Sequence, residues 1–302
     1  MAGILVTGAD SFTARHLLPR LFAQHGAKAV WGTDLGPRGP GGLSYLQADI
    51  TDPRAVGMAM EAAHPALVFH LAGISSPDRD RCFAVNLEGT RHLLAAAAAL
   101  SPPPAVLLVS SAAVYGRIRP EENPVRETTP LRPASPYGES KAAAEELALG
   151  HHRAGRVPVV IVRPFNLIGP GLPRGLAPAD FVAEAARVRR GEGEPVARVG
   201  ALTPRRDFVD VRDAVRAYTL LAEHPEARGR AFNVGTGHPV AIGDLLEAIL
   251  SAAGVTARVE TDPARLRSDD VEEMVADTGA LRDLTGWRPE IPLADSLREM
   301  TA

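Results

Sequence analysis

Short apolar segments alternate with helical stretches along the first half of the chain. The apolar segments cover residues 4–6, 29–33, 67–71, 105–109 and 159–162, and much of the sequence between them has helical periodicity. Strands that are separated by helices pair in parallel, with the helices on both faces of the sheet. The pattern therefore predicts an α/β fold, with a doubly wound parallel sheet whose ligand lies at the carboxyl ends of the strands.

The first predicted strand leads into a turn that contains one glycine, Gly8, and then into a helix that extends to about residue 24. Such a turn binds a dinucleotide pyrophosphate through free backbone N–H groups and the helix dipole. A full Gly-x-x-Gly-x-x-Gly pattern would also have glycines in place of Ser11 and Ala14. Ala14 suits the packing role of the third glycine, whereas Ser11 puts a side chain near the pyrophosphate. An ordinary turn between strand and helix therefore remains an alternative.

Two acidic residues stand where the adenosine of such a ligand would lie. Asp34 ends the second predicted strand, at the spacing expected for a carboxylate that binds the ribose hydroxyls. Because its negative charge would repel a 2′-phosphate, we expect NAD(H) rather than NADP(H). Asp49, which precedes Ile50, would accept a hydrogen bond from the adenine amine, although an aspartate in an ordinary turn explains it equally well.

The segment 67–73 runs from a strand into a turn of small residues that includes Ala72 and Gly73. Small residues would let a cofactor approach the backbone here. His70, in the same segment, is expected to be structural. Ser111 follows the strand at 105–109 and so stands at the edge of the sheet where the ligand is expected.

A phenol and an ammonium stand four residues apart at the start of the helix predicted at 137–151. Tyr137 and Lys141 therefore share one face of that helix. A phenol titrates near pKa 10, and a cation beside it lowers that pKa and eases proton exchange with a carbonyl or alcohol. The chain has only two lysines, Lys28 and Lys141, among 33 basic residues, which indicates that Lys141 does something an arginine cannot do. A partly exposed helix with a surface lysine is the structural alternative.

Composition narrows the class of protein. The 302 residues carry a net charge of -3 without a block of Lys or Arg, which argues against a nucleic-acid partner. The longest apolar run, residues 93–100, is too short to span a bilayer, and residues 1–6 lack the features of a signal peptide. We therefore expect no membrane partner and a cytoplasmic location. Cys82 is the single cysteine, which excludes an internal disulfide and a cysteine metal cluster, and we expect no metal site.

The remaining motifs occur in a characteristic order over nearly the whole chain. They are Thr7-Gly8, Asp49-Ile50, His70-Leu71-Ala72-Gly73, Asn86, Ser110-Ser111, Tyr115-Gly116, Tyr137 with Lys141, Arg163-Pro164-Phe165-Asn166, Arg206-Asp207-Phe208, Asn233-Val234-Gly235 and Gly286-Trp287. This order resembles that of the extended short-chain dehydrogenase/reductases that act on nucleotide sugars, the NAD-dependent epimerase/dehydratase family. The resemblance implies a Rossmann domain formed by residues 1–165 and 207–237. It also implies a smaller, discontinuous α/β domain for the nucleotide sugar, formed by residues 166–206 and 238–302, and a homodimer through the helices at 81–100 and 137–151.

The resemblance also assigns roles to individual residues. Ser111, Tyr137 and Lys141 match the catalytic triad: Tyr137 would exchange a proton with the sugar oxygen, Ser111 would hold that oxygen, and Lys141 would tune the phenol and bind the nicotinamide ribose. The positions matched to the cofactor are Gly8, Asp10, Ser11, Phe12, Asp34, Asp49, Ile50, Leu71, Ala72, Gly73, Asn86, Ser110, Tyr137, Lys141 and Pro164. The positions matched to the substrate are Ser111, Tyr137, Asn166, Arg206 and Arg267, of which the last three would contact the diphosphate.

The branch of the family is less constrained. Residues 130–141, 198–213, 262–267 and 285–292 most resemble GDP-4-keto-6-deoxy-D-mannose reductases, which predicts NAD(P)H-dependent reduction to a GDP-6-deoxyhexose such as GDP-rhamnose. Asp34 fits better with an NAD-dependent nucleotide-sugar C4-epimerase, and the incomplete glycine turn fits a non-catalytic dinucleotide sensor. Ala112 and Ala113 stand where a 4,6-dehydratase needs acid/base groups, which argues against that reaction.

Overall fold

The computed structural model describes residues 3–263 and 271–302. The strands are β1 (Gly3–Thr7), β2 (Val30–Asp34), β3 (Ser44–Gln47), β4 (Pro65–His70), β5 (Ala105–Val109), β6 (Val159–Pro164), β7 (Asn166–Ile168), β8 (Val196–Val199), β9 (Arg205–Asp210), β10 (Ala231–Val234), β11 (Pro239–Ala241), β12 (Arg258–Thr261) and β13 (Glu273–Met274). The helices are α1 (Phe12–His25), α2 (Pro53–Ala63), α3 (Arg79–Cys82), α4 (Gly89–Ala99), α5 (Pro136–Arg153), α6 (Ala177–Arg189), α7 (Val211–Glu223), α8 (Ile242–Ala252), α9 (Gly279–Thr285) and α10 (Leu293–Thr301).

The largest sheet in the described residues has seven strands in the order β10-β6-β5-β4-β1-β2-β3, and every neighbouring pair is parallel. The chain proceeds from β1 outward to β3 and then returns to form β4 on the other side of β1. The strand order therefore reverses between β1 and β4. In such sheets the crevice beyond the carboxyl ends of these two strands is the usual ligand site, and the predicted doubly wound α/β fold is confirmed.

Helices cover both faces of this sheet, and successive residues of β1 point into different cores. Ile4 and Val6 pack in the core that includes α1 and α7, whereas Leu5 packs in the core that includes α2, α4 and α5. Both cores consist of buried apolar side chains, mostly aliphatic, and the core with α1 and α7 also contains aromatic residues. The sheet is thus held rigidly from both sides, which fixes the positions of the turns at its carboxyl edge.

The smaller part of the fold contains two short sheets. Strand β9 pairs with β7, β11 and β13, while β8 pairs with β12. A separate core that includes Phe181, Phe208 and Leu246 joins them to α6, α8 and α10. Helix α7 and strand β10 pack on the large sheet instead. Residues 207–210, which the sequence analysis grouped with the large domain, lie in the smaller sheet as part of β9.

The helix predicted at residues 81–100 is interrupted by a wider turn. Helix α3 continues into a π-helical segment, Phe83–Glu88, and then into α4. Asn86 lies inside the π-helical segment and is buried. Among the described helices, none has both the length and the apolar character needed to cross a membrane.

Candidate active site

The turn after β1 depends on the absence of a side chain at Gly8. Its φ of 69° lies in the left-handed region, and a Cβ atom there would lie 2.9 Å from the backbone nitrogen of Ala72. The turns after β1 and β4 therefore touch each other through Gly8. Only glycine permits both the conformation and this close approach.

Ser11 caps the first helix, and its contact with a pyrophosphate remains a prediction. The hydroxyl oxygen of Ser11 accepts a hydrogen bond from the backbone N–H of Ala14, at 3.2 Å. Serine is a favoured residue at this position because it satisfies a helix N–H that has no partner within the helix. Ala14 is fully buried in the core, which confirms the packing role expected for it.

A cavity of about 550 Å³ lies at the crevice between β1 and β4. Nine of the residues predicted to bind the cofactor line it: Gly8, Asp10, Ser11, Asp34, Asp49, Ile50, Leu71, Ala72 and Gly73. Other lining residues were not predicted, among them Thr33, Leu35, Thr51, Ile74 and Arg81. Leu35 and Thr51 adjoin predicted residues, so their positions could have suggested them. Arg81 lies in α3 and has no comparable signal in the sequence.

The acidic residues of the cavity are held by short local hydrogen bonds. Asp34 accepts one from the backbone N–H of Asp10 at 2.9 Å and one from that of Leu35 at 2.7 Å. Asp49 accepts two from Thr51, both at 2.8 Å. Carboxylate oxygens have further lone pairs, so both groups remain able to accept bonds from a ligand.

The lining fits a dinucleotide. The turn at Gly8 leaves room for a pyrophosphate beside the N-terminus of α1, which is where anions bind. The hydroxyl of Thr33 is buried in the cavity wall and has no hydrogen-bond partner in the described residues. Asp34 ends β2, where a ribose would present its hydroxyls.

Lys141 is a buried lysine on α5. It is 5% exposed, and its ammonium donates a hydrogen bond to the backbone carbonyl of Val109, at 2.8 Å. A Cβ atom at Gly73 would lie 3.0 Å from its Nζ atom, so the ammonium reaches the cavity wall. Burial disfavours the charged form and lowers the pKa of Lys141 to about 8, although the nearby carboxylate of Glu145 opposes this shift.

Tyr137 lies one turn before Lys141 on α5, and its phenol lies near the side chain of Ser111. Burial raises the pKa of Tyr137 above its usual value, and the nearby hydroxyl of Ser111 only partly offsets this effect. This direction is the opposite of the one predicted from the sequence, in which a lysine one turn away would favour the phenolate. In the structure the ammonium of Lys141 donates to Val109, and loss of solvent decides the direction for the phenol.

Ser111 is brought to Tyr137 by a short 3-10 turn after β5. Its hydroxyl oxygen accepts a hydrogen bond from the backbone N–H of Ala113, at 3.1 Å. The structure therefore brings the three predicted catalytic residues together at the carboxyl edge of the sheet. Their catalytic roles remain predictions.

Asn86 acts behind the cavity wall. Its amide accepts a hydrogen bond from the N–H of Ile74 at 2.8 Å and donates to the carbonyl of Ile74 at 2.9 Å. It also donates to the hydroxyl of Ser140 at 2.9 Å. These bonds fasten the loop after β4 to α5, so the amide would position the cofactor site through that loop.

Besides Asn86, five residues matched to the cofactor lie outside the cavity lining: Tyr137, Lys141, Ser110, Pro164 and Phe12. Ser110 is buried, and its hydroxyl has no hydrogen-bond partner in the described residues. Pro164 ends β6, and Phe12 begins α1 with its ring against that of His16. Their direct contact with a cofactor remains a prediction.

His70 is structural, as expected. Its two ring nitrogens are hydrogen-bonded to the hydroxyls of Thr7 and Thr90, at 2.7 and 3.0 Å. Burial lowers the pKa of His70 to about 3, so the ring is neutral. It fixes the end of β4 to β1 and to α4.

Two of the residues matched to the substrate's diphosphate lie in the smaller sheet. Asn166, in β7, donates to the backbone carbonyl of Asp207 at 3.0 Å. Arg206, in β9, donates to the backbone carbonyl of Val271 at 2.7 Å. Arg267 lies outside the described residues. Contact of these side chains with a diphosphate remains a prediction.

Asp207 is a structural residue whose role the sequence analysis did not identify. Its buried carboxylate accepts hydrogen bonds from the N–H groups of Thr236, Gly237 and Ala276 and from the hydroxyl of Thr236, at 2.6 to 3.1 Å. Asp207, which follows Arg206 in β9, therefore joins the turn after β10 to the segment after β13.

The fold and the site define a class: a doubly wound α/β protein with a dinucleotide cavity and a serine, a tyrosine and a lysine at its edge. Residues 4–235 match the model of the NAD dependent epimerase/dehydratase family. The chain belongs to this family, as the order of its motifs predicted, and it is an NAD(P)-dependent enzyme.

Known proteins extend the comparison to the whole chain. The chain is 34% identical over 300 residues to GDP-6-deoxy-D-mannose reductase of Pseudomonas aeruginosa. The aligned region covers 98% of this chain and 94% of that protein. It superposes on RMD from Pseudomonas aeruginosa in complex with NADPH with a TM-score of 0.87 at 31% identity, over 100% of this chain and 98% of that one. It superposes on the UDP-glucose 4-epimerase of Thermus thermophilus in complex with NAD with a TM-score of 0.86 at 29% identity, over 99% and 97%.

Proposed function

We propose that this protein uses NAD(P)H to reduce the 4-keto group of a nucleotide-linked 6-deoxyhexose, giving GDP-rhamnose or a related sugar. The observation that carries the proposal is the buried phenol of Tyr137, which has a raised pKa and lies near the hydroxyl of Ser111. A protonated phenol at the edge of a dinucleotide cavity suits a group that gives a proton to a carbonyl oxygen. Similarity to the GDP-6-deoxy-D-mannose reductase supports the choice of substrate.

The residues divide the work of the reduction. A reduced nicotinamide dinucleotide, which Gly8 and Asp34 would help to hold, would supply the hydride for C4. Tyr137 gives its phenolic proton to the oxygen on C4, so that the carbonyl becomes an alcohol. Ser111 holds the same oxygen through its hydroxyl. The positive charge of Lys141 lies one helical turn behind the phenol and stabilises the phenolate that remains.

Turnover of the keto sugar tests this proposal. We expect the purified protein to oxidise NADH when GDP-4-keto-6-deoxy-D-mannose is added, and we expect Tyr137→Phe to lower kcat by about 10²- to 10⁴-fold. Tyr218→Phe is the matched control, because the buried hydroxyl of Tyr218 has no hydrogen-bond partner in the described residues. Equal turnover by Tyr137→Phe and wild type would contradict the assignment of the proton donor.

We propose GDP as the nucleotide because the similar reductase of Pseudomonas aeruginosa is a GDP-6-deoxy-D-mannose reductase. Parallel assays with GDP-, dTDP- and UDP-linked 4-keto-6-deoxy sugars distinguish the bases. The highest kcat/KM is expected for the GDP sugar. Absence of NADH oxidation with all three would reject the reductase proposal.

We favour NAD(H) over NADP(H). The support is Asp34, whose carboxylate is fixed at the end of β2 by backbone N–H groups. Like charges repel by about 1 kcal/mol at short range even in water, so Asp34→Asn is expected to raise the relative kcat/KM for NADPH by about fivefold. A wild type that prefers NADPH would overturn this preference, and the reductase structure bound to NADPH makes that comparison necessary.

A C4-epimerase is the second candidate, supported by the likeness to a UDP-glucose 4-epimerase bound to NAD. An epimerase must first remove a proton from an alcohol, for which a phenol of raised pKa is less suited. Incubation with UDP-glucose without a reductant, followed by proton NMR of the sugar, separates the two. Formation of the C4 diastereomer would favour the epimerase.

The division into two domains and the homodimer also remain proposals. Helices α4 and α5 would form the two-fold interface. Light scattering of the purified protein is expected to give twice the chain mass of 31.9 kDa. A mass of one chain would reject the dimer.

A further inference from the structure

A buried ion pair lies one helical turn beyond Lys141. Glu145 on α5 and Arg163 on β6 have side chains that are only 2% and 6% exposed. The guanidinium of Arg163 donates through Nε and Nη2 to both carboxylate oxygens of Glu145, with distances of 2.6 to 3.2 Å. The pair therefore fixes the helix that carries Tyr137 and Lys141 to the large sheet.

The ion pair continues into a chain of hydrogen bonds that reaches the turn after β5. Arg163 donates from Nη1 to the hydroxyl of Tyr115 at 2.9 Å, and that hydroxyl donates to the side-chain carbonyl of Asn233 at 2.6 Å. Tyr115 lies four residues after Ser111. One buried network thus links the helix of Tyr137 and Lys141 to the turn of Ser111.

A buried ion pair is not explained by stability alone. The cost of removing two charges from water offsets most of their attraction, and well-packed apolar residues would stabilise such a site at least as well. What apolar residues could not provide is a carboxylate on the same helix face as Lys141. Residues four apart on a helix share one face, so Glu145 follows Lys141 on that face of α5, and its charge favours the charged form of the ammonium.

We propose that Glu145, held by Arg163, is a positioning residue of the active site that keeps the buried ammonium of Lys141 charged behind Tyr137. Glu145 does this without touching the substrate or the dinucleotide. Its consequence for turnover rests on the proposed function, whereas its effect on Lys141 does not.

The groups around Lys141 leave Glu145 as the source of negative charge. His70, at the end of β4, is neutral. On α5 itself, Tyr137 precedes Lys141 by one turn and Glu145 follows it by one turn. Arg163 on β6 holds the far side of the Glu145 carboxylate, and Cys82 on α3 is a buried free thiol near Tyr137. The pKa of Lys141 is lowered by burial to about 8, and Glu145 is the group that opposes this.

The composition of the chain makes the test direct. Lys28 and Lys141 are its only lysines, so protein labelled with carbon-13 at lysine Cε gives two signals, and Lys28→Arg assigns them. We expect the Lys141 signal to titrate near pH 8 in the wild type and about one pH unit lower in Glu145→Gln. The matched control is Glu146→Gln, the next residue on the helix, whose side chain is 73% exposed and pairs with Arg153; it should leave the titration unchanged.

A second variant covers the case in which Glu145→Gln does not fold, because that change leaves the charge of Arg163 buried without its partner. The double variant Glu145→Leu, Arg163→Met removes both charges and replaces the ion pair with apolar side chains of similar size. It is expected to fold and to shift the Lys141 titration downward as well. A folded variant of either kind with the wild-type titration would overturn the proposal.

Kinetics complete the test. With the keto sugar and NADH, the alkaline limit of kcat is expected to move to lower pH in Glu145→Gln by the same amount as the NMR titration, while Glu146→Gln keeps the wild-type profile. If the wild type turns over no keto sugar, the proposed function fails, but the titration still decides the role of Glu145. If the titration moves and the kcat profile of an active enzyme does not, the positioning role is rejected.

Discussion

Gly138, in the first turn of α5, lies directly against the backbone carbonyl of Ala113. A Cβ atom at Gly138 would lie 2.6 Å from that carbonyl oxygen, closer than real Cβ atoms come to a backbone atom. Because Tyr137 precedes Gly138 and Ser111 lies two residues before Ala113, this contact sets the distance between the phenol and the serine hydroxyl.

Gly138→Ala should therefore push the start of α5 away from the Ser111 turn. We expect kcat to fall by about 10²-fold, since a displacement of about 1 Å at reacting groups has that effect. Gly150→Ala is the control on the same helix, because a Cβ atom there would meet nothing within 4 Å. It should keep full activity and raise the free energy of unfolding by about 0.5 to 1 kcal/mol. Equal kcat values for the two variants would contradict this assignment.

Gly8→Ala should abolish dinucleotide binding because of both its conformation and its contact with Ala72. Gly26→Ala separates the two causes. Gly26 also has a positive φ, of 78°, but a Cβ atom there would meet nothing within 4 Å. We expect Gly26→Ala to cost about 1 kcal/mol of stability and to leave the Kd for NADH unchanged in a fluorescence titration. Gly8→Ala should raise that Kd by more than about tenfold, and an unchanged Kd would mean that the turn does not hold the pyrophosphate.

Ser11→Ala should destabilise the protein more than it weakens dinucleotide binding. The hydroxyl caps α1 through the N–H of Ala14, and loss of such a cap costs about 1 kcal/mol of the free energy of unfolding. Ser11→Gly should cost only a few tenths. Urea unfolding measures both changes. A tenfold rise of the Kd for NADH in Ser11→Ala would show instead that the hydroxyl binds the pyrophosphate.

Lys141→Met should make the protein more stable at neutral pH while it removes activity. A buried lysine whose pKa is lowered from 10.5 to about 8 disfavours the folded state below pH 8, where both states bind the proton. Between pH 8 and 10.5 the unfolded state binds more protons, so this cost decreases as the pH rises. The lowered pKa of Lys141 corresponds to about 3 kcal/mol of lost folding stability at pH 7. Lys141→Met regains this amount but loses the hydrogen bond to Val109, which contributes about 1 kcal/mol.

Urea unfolding of wild type and Lys141→Met at pH 7 and at pH 10 provides the measurement. The variant is expected to be more stable by about 1 to 3 kcal/mol at pH 7, and this advantage should be much smaller at pH 10. A stability difference that does not depend on pH would contradict the burial of a charged ammonium.

The parts of the site that follow from local patterns could be predicted. The strand–turn–helix sequence located Gly8 and Asp34 at the cavity, and the four-residue spacing put Tyr137 and Lys141 on one helix face. These features depend on the backbone geometry of a single segment, which the residues of that segment largely determine.

The parts that depend on contacts between distant segments could not be predicted. The pKa of Tyr137 rises because several segments together exclude solvent from the phenol. Arg81 lines the cavity because α3 packs beside turns that belong to other segments. No spacing within one segment contains this information.

The π-helical segment Phe83–Glu88 has an evolutionary consequence. A π-helical turn holds one residue more than an α-helical turn of the same height. Deletion of one codon here would rotate Asn86 by about 100° relative to α4, and the loop at Ile74 would lose the amide that holds it. A change of length between α3 and α4 therefore disturbs the site more than a substitution there. Relatives in which another group holds the loop after β4 are expected to lack one residue in this segment.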